Sequence, residues 1–80
     1  PLPGLMQRYN TCRKHLQRSV EWKGNNLGII DMRRHYARYF KGYDNFKDFR
    51  MQMVTCTEIN RIYEILDEVV DYYVGVVEID

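Results

Sequence analysis

Three cations, Arg34, Arg38 and Lys41, recur at i, i+4 and i+7, so they project along one edge of a helix. Arg33 and His35 flank that row, and Lys14 and Arg18 form a second pair at i, i+4, with Arg8 and Arg13 nearby. Cations spaced in this way match a phosphate backbone, and arginine adds bidentate contacts that lysine cannot make. Tyr39 and Trp22 supply ring faces on which an unpaired base can stack. The plain alternative is a solvated basic face that binds nothing, or one that pairs with an acidic helix elsewhere in the chain.

Other chemistries fit less well. Cys12-x-x-His15 sets a thiol and an imidazole one turn apart, but zinc needs three or four ligands and the spacing matches no standard zinc pattern. Cys12 also falls on an apolar face, where a buried structural cysteine is the simpler reading. Cysteine–histidine catalysis would need an activated thiolate, an orienting group and an oxyanion hole, for which a short helical chain has little room. The glycines sit where helices start or stop rather than in a phosphate loop. The expectation is therefore no catalytic residue and no metal site within these residues.

The net charge of +1 conceals an asymmetry. Residues 1–42 carry nine Lys and Arg against Glu21 and Asp31, a net of +7, whereas residues 43–80 carry three against nine acids, a net of −6. A basic half facing nucleic acid and an acidic half facing something else is one reading; two halves that attract each other is the other. The 80 residues allow one domain and are too few for a dinucleotide fold or a barrel. Two cysteines could form one disulfide, which spacing does not decide. With no apolar leader and no span of membrane length, a reduced, cytoplasmic setting without membrane contact is expected.

The elements that would position these groups follow from apolar spacing. Leu5, Tyr9, Cys12, Leu16 and Val20 step by four and three, which predicts a helix over about 5–23, stopped by Gly24. Asn25–Gly28 reads as a turn. Ile29, Met32, Tyr36 and Phe40 share a face, which predicts a second helix over about 28–41, stopped by Gly42. Asp44 is a suitable cap for a short helix over about 45–54 that carries Phe46, Phe49 and Met53. Thr55 and Glu58 have the spacing of a capping box before a helix over about 56–74, closed by Gly75. Its apolar side is Ile59, Ile62, Tyr63, Leu66, Val69, Val70 and Tyr73, and its polar side is Glu64, Asp67, Glu68 and Asp71, with Arg61 the one base. The fold expected is all-α: a compact four-helix bundle over residues 5–75, with short loops and antiparallel neighbours. Residues 1–4 read as the remnant of a linker in a segment cut from a longer protein, and residues 76–80 as a tail.

The run Met32-Arg33-Arg34-His35-Tyr36-Ala37-Arg38-Tyr39-Phe40-Lys41-Gly42 resembles the signature of the C-terminal helical domain of bacterial tRNA-dihydrouridine synthases. In that family a Met-basic-basic-His start is followed by aromatics and ends in Lys-Gly. Phe49-Arg50 is similar to a Leu-Arg pair of the next helix, and Trp22-Lys23-Gly24 to the end of the preceding one, so the likeness spans about residues 5–70. Two positions depart from the pattern: Arg38 stands where many members carry an aromatic, and Asp44-Asn45 replaces a Pro-Gly turn.

The resemblance implies a parent oxidoreductase, a flavoprotein that reduces a uridine of tRNA to dihydrouridine with FMN and NADPH. Its flavin and its catalytic cysteine would belong to an N-terminal TIM barrel outside these residues, so neither Cys12 nor Cys56 is that cysteine. The present residues would be the non-catalytic tRNA-binding domain beside the barrel, with tRNA and the barrel of the same chain as partners. By position, Arg33, Arg34, Lys41 and Arg50 would meet phosphates, and His35 would bond RNA or tie its helix to a neighbour. An enzyme that extrudes a base must grip the rest of a large RNA elsewhere, and a basic auxiliary domain supplies such a grip. The rival expectation is a protein-interaction module that docks on a partner domain or dimerises through its acidic or aromatic faces.

Overall fold

The computed structural model describes residues 4–76. Five helices follow one another: α1 (Leu5–Lys23), α2 (Asn25–Met32), α3 (Tyr36–Tyr39), α4 (Lys47–Thr55) and α5 (Ile59–Val76), with no strand among the described residues. The expected remnant at 1–4 and the expected tail at 76–80 lie outside the described residues, except that Gly4 caps α1 and Val76 closes α5.

α1 buries Leu5, Cys12 and Leu16, and Ser19 lies at the end of the same stripe. Gly24 adopts φ 85°, a backbone region that side chains disfavour, and its N–H closes on the Val20 carbonyl at 2.8 Å. That one residue both ends α1 and begins α2, so the turn expected over Asn25–Gly28 is instead the first turn of a helix. The Gly28 N–H already bonds to the Gly24 carbonyl at 2.8 Å.

Gly28 is where α1 and α2 touch. A Cβ there would lie 2.6 Å from the Val20 Cα and 2.8 Å from the Ser19 carbonyl carbon and oxygen. The Ser19 hydroxyl donates to the Gly28 carbonyl at 3.1 Å across the same crossing.

The single helix expected over 28–41 is broken. α2 stops at Met32, residues 33–35 form a turn, and α3 resumes at Tyr36. The break leaves the apolar stripe intact, since Ile29, Met32, Tyr36 and Phe40 are all buried. The backbone tightens to i→i+3 bonds there, Arg33 N–H to Ile30 and His35 N–H to Met32, which turns His35 toward α1.

Two expected caps are not formed. Asp44 lies in a turn before α4, whose N-cap is Phe46 without a side-chain bond. Asp44 instead offers its carbonyl to the Tyr73 hydroxyl at 2.6 Å, and Asn45 takes the left-handed φ of 65° that asparagine tolerates. Thr55 belongs to the end of α4, where its hydroxyl donates to the Met51 carbonyl at 2.7 Å and is spent on that helix's last turn. Gly75 lies within the last turn of α5 rather than after it.

α5 packs its Ile62, Ile65, Leu66, Val69 and Tyr73 face against α1 and α4. Phe40 and Phe46 stack at 5.0 Å, and Tyr43 and Tyr73 meet at 4.9 Å, so aromatic rings close the end of the core near the α3–α4 loop. The radius of gyration is 12.3 Å, as befits a compact chain of this length.

Candidate nucleic-acid interface

α1 lies beside α2 and α3, and the seam between them carries most of the chain's cations. At one end Gln7, Arg8 and Thr11 face Arg38, Tyr39, Lys41 and Gly42 across a cleft of about 560 Å³. Arg8 donates to the Lys41 carbonyl at 2.6 Å and lies 4.9 Å from the Tyr43 ring centre, which fixes one wall of the cleft. At the other end His15, Arg18, Ser19, Trp22 and Lys23 of α1 face Asp31 of α2 across a second recess of about 330 Å³. Trp22 is 82% exposed, with the Lys23 ammonium 5.1 Å from its ring centre.

The middle of the seam is imidazole and phenol. His15 Nδ1 lies 2.8 Å from the Tyr39 hydroxyl, and the His15 and His35 rings are 4.7 Å apart. Arg34 donates through Nε to His35 Nε2 at 3.3 Å and reaches Asp31 at 3.2 Å through Nη2. Lys23 also pairs with Asp31 at 3.2 Å. The bond from Lys23, with Arg34 and His35 close by, holds the Asp31 carboxyl below the usual carboxylate range. Burial, then the nearby His15 and Arg34, hold the His35 imidazole below its ordinary value, against the pull of Asp31.

The eight candidate residues, seven of them from charge and spacing and Arg50 from the resemblance, are not brought to one place. Arg38 and Lys41 line the first cleft, Arg18 lines the second, and Arg34 and His35 join the two. Lys14 is exposed on α1, one turn from both Thr11 and Arg18, along the same edge. Arg33 is half-buried, with its Nε enclosed and without a hydrogen-bond partner, and lines neither cleft. Arg50 is half-buried on α4, which packs against α3 and α5, and also lines neither cleft. Among the described residues Lys14, Arg18, Arg38 and Lys41 have no ion-pair partner, whereas Arg61 of α5 is held by Glu64 and Glu68 at 3.2 and 2.8 Å. The acidic helix is joined to α1 by a different contact, the Tyr9 hydroxyl donating to Asp67.

Arg8, expected only as a neighbour of the Lys14–Arg18 pair, and His15, expected only as a neighbour of Cys12, both belong to this site. The signal was present: Arg8, Thr11, His15, Arg18 and Trp22 step by three and four and so share one edge of α1.

The cysteines stand apart from it. Cys12 is fully buried in the core and burial pushes its thiol up to about 12, so it is not a nucleophile; Cys56 is free and half-buried. Native protein treated with iodoacetamide is expected to gain one adduct by mass spectrometry, on Cys56, and a second only after denaturation. No group of three or more His, Cys, Asp or Glu is placed to hold a metal among the described residues, and no helix among them is long and apolar enough to cross a membrane. The chain matches no protein-family model and no solved structure.

Proposed function

We propose that the chain is an RNA-binding auxiliary module that grips transfer RNA along the α1–α3 seam, and that its parent is an FMN- and NADPH-dependent tRNA-dihydrouridine synthase. The observation that carries RNA binding is the cleft flanked by Arg8, Arg38 and Lys41, continued by Arg18 and Arg34 toward an exposed Trp22. Arg18, Arg38 and Lys41, which have no carboxylate partner among the described residues, hold phosphates without first breaking an ion pair. Trp22 offers an aromatic face to an unpaired base, and Tyr39 lines the cleft between the cations. The Met32–Gly42 signature is what supports the dihydrouridine synthase reading.

In this reading the flavin and the nicotinamide are held by the barrel. The larger cleft is open to solvent and edged by cations, whereas a ring cofactor needs an enclosed slot. The described residues therefore position RNA and carry no step of the reduction. α2 and α3 count as one interrupted helix, so the architecture is that of a four-helix bundle with antiparallel neighbours. The α4–α5 side, with Met51 and Tyr72 exposed beside the acids of α5, is the side turned to the barrel.

Titration of the chain with bulk transfer RNA tests the binding reading. If about three phosphates are neutralised, affinity falls about 40-fold between about 50 and 200 mM salt. An affinity that does not change with salt, or no binding at the lower salt, refutes it.

A further inference from the structure

Arg34 and His35 hold each other in a state that a proton would break. Arg34 donates Nε–H to His35 Nε2, so that nitrogen is the acceptor and carries no hydrogen. Protonation at Nε2 removes the acceptor and sets two cations against each other. The same imidazole faces His15 from α1, Asp31 from α2 and Arg38 from α3. Asp31, the one carboxylate here, is already shared by Lys23 and Arg34.

We propose that the paired imidazoles of His15 and His35 form a phosphodiester seat in the middle of the seam, and that an RNA phosphate is bound there together with a proton. His35 takes the proton from solvent at Nε2 and donates it as a hydrogen bond to a phosphate oxygen. Arg34, released from Nε2, turns its Nε–H to the same anion. His15, whose Nδ1 is engaged by the Tyr39 hydroxyl, has Nε2 left to face the ligand. The anion supplies the negative charge that the cation-rich surroundings lack, so a proton that is disfavoured on free His35 becomes favourable in the complex.

The seat rests on the RNA-binding reading and adds its pH dependence. The sign follows from linkage. A group whose proton is held more tightly in the complex strengthens binding below its free-state value, and the gain is lost as pH rises through its bound-state value. One unit of difference corresponds to about a tenfold change in affinity.

The test uses a ten-residue uridine oligonucleotide, whose phosphodiesters do not titrate in this range, at fixed low salt. Wild-type protein is expected to bind it about tenfold tighter at about pH 5.5 than at about pH 8, and His35→Gln to lose most of that ratio. In the wild type, the His35 imidazole followed by NMR is expected to titrate about one unit higher when the oligonucleotide is saturating. Equal wild-type affinity at both pH values, an unmoved His35 titration, or a wild-type ratio retained by His35→Gln overturns the seat while the cleft reading stands. Absence of binding at both pH values removes both.

Discussion

Gly28→Ala is expected to destabilise the chain by about 3 kcal/mol or more, the upper end of what overpacking costs, and to lower the melting temperature by more than about 10 °C. The methyl carbon would have to sit 2.6 Å from the Val20 Cα and 2.8 Å from the Ser19 carbonyl. Those atoms are backbone, so no rotamer change relieves the overlap and the two helices must separate. Separation also stretches the Ser19–Gly28 hydrogen bond, which is buried, and loosens Ile29 and Met32 against α1. Alanine is otherwise the better helix former by about 1 kcal/mol, so a melting temperature at or above that of the wild type would refute the close crossing. Thermal denaturation followed by circular dichroism decides the matter.

Reversing Arg38 and Lys41 together, Arg38→Glu with Lys41→Glu, is expected to weaken transfer RNA binding by more than about 100-fold and to lower the salt slope by about 2. Both side chains are exposed at the rim of the larger cleft, and neither is part of the core. Their loss therefore leaves folding intact, as circular dichroism would confirm, while two phosphate contacts become two repulsions. Lys47→Glu, at an exposed cation of α4 away from the seam, serves as the control and is expected to change affinity less than about threefold. Equal losses for the double reversal and the control would mean that RNA responds to net charge alone and that the cleft has no special part.

The all-helical architecture is legible in the apolar spacing because burial enforces it. Cys12 and Leu16 in α1, Ile29 to Phe40 across α2 and α3, and Ile62 to Tyr73 in α5 are the residues that the three- and four-step pattern selects, and they form the core. What spacing did not reveal were choices between local bonds of similar strength. Thr55 can cap the helix that follows or bond back into the helix that precedes it, and four residues of sequence do not say which. The break at residues 33–35 is equally hidden, since an interrupted helix and a continuous one bury the same stripe. Asn25–Gly28 looked like a turn because Asn and Gly favour turns, but Gly28 is required by the approach of α1 and Gly24 alone reverses the chain.

The site was legible as charge and only partly as geometry. The row at i, i+4 and i+7 selects Arg34, Arg38 and Lys41, all exposed, but only Arg38 lies in a helix, α3, with Arg34 and Lys41 in the turns on either side of it. Arg33 lies one residue away from that row and is half enclosed, with its Nε shut off from solvent. The meeting of His15 with His35 and Tyr39 depends on how α1 packs on α3, which no single helix encodes.

One residue, Gly24, separates α1 from α2, and the two are fastened again where Ser19 meets Gly28. Arg8 ties the far end of α1 to the Lys41 carbonyl, and His15 ties its middle to Tyr39. The seam's cations on α1 thus ride on a hairpin whose angle is set before any ligand arrives, and Arg34, Arg38 and Lys41 follow it in α3 and its flanking turns. Little backbone entropy remains to be lost on association, so the cost of binding falls mainly on long side chains and displaced counterions. As the RNA grip proposed above, such a surface would act as a rigid gauge, accepting a polyanion whose phosphates already have the right spacing and slow to remould itself around one that does not.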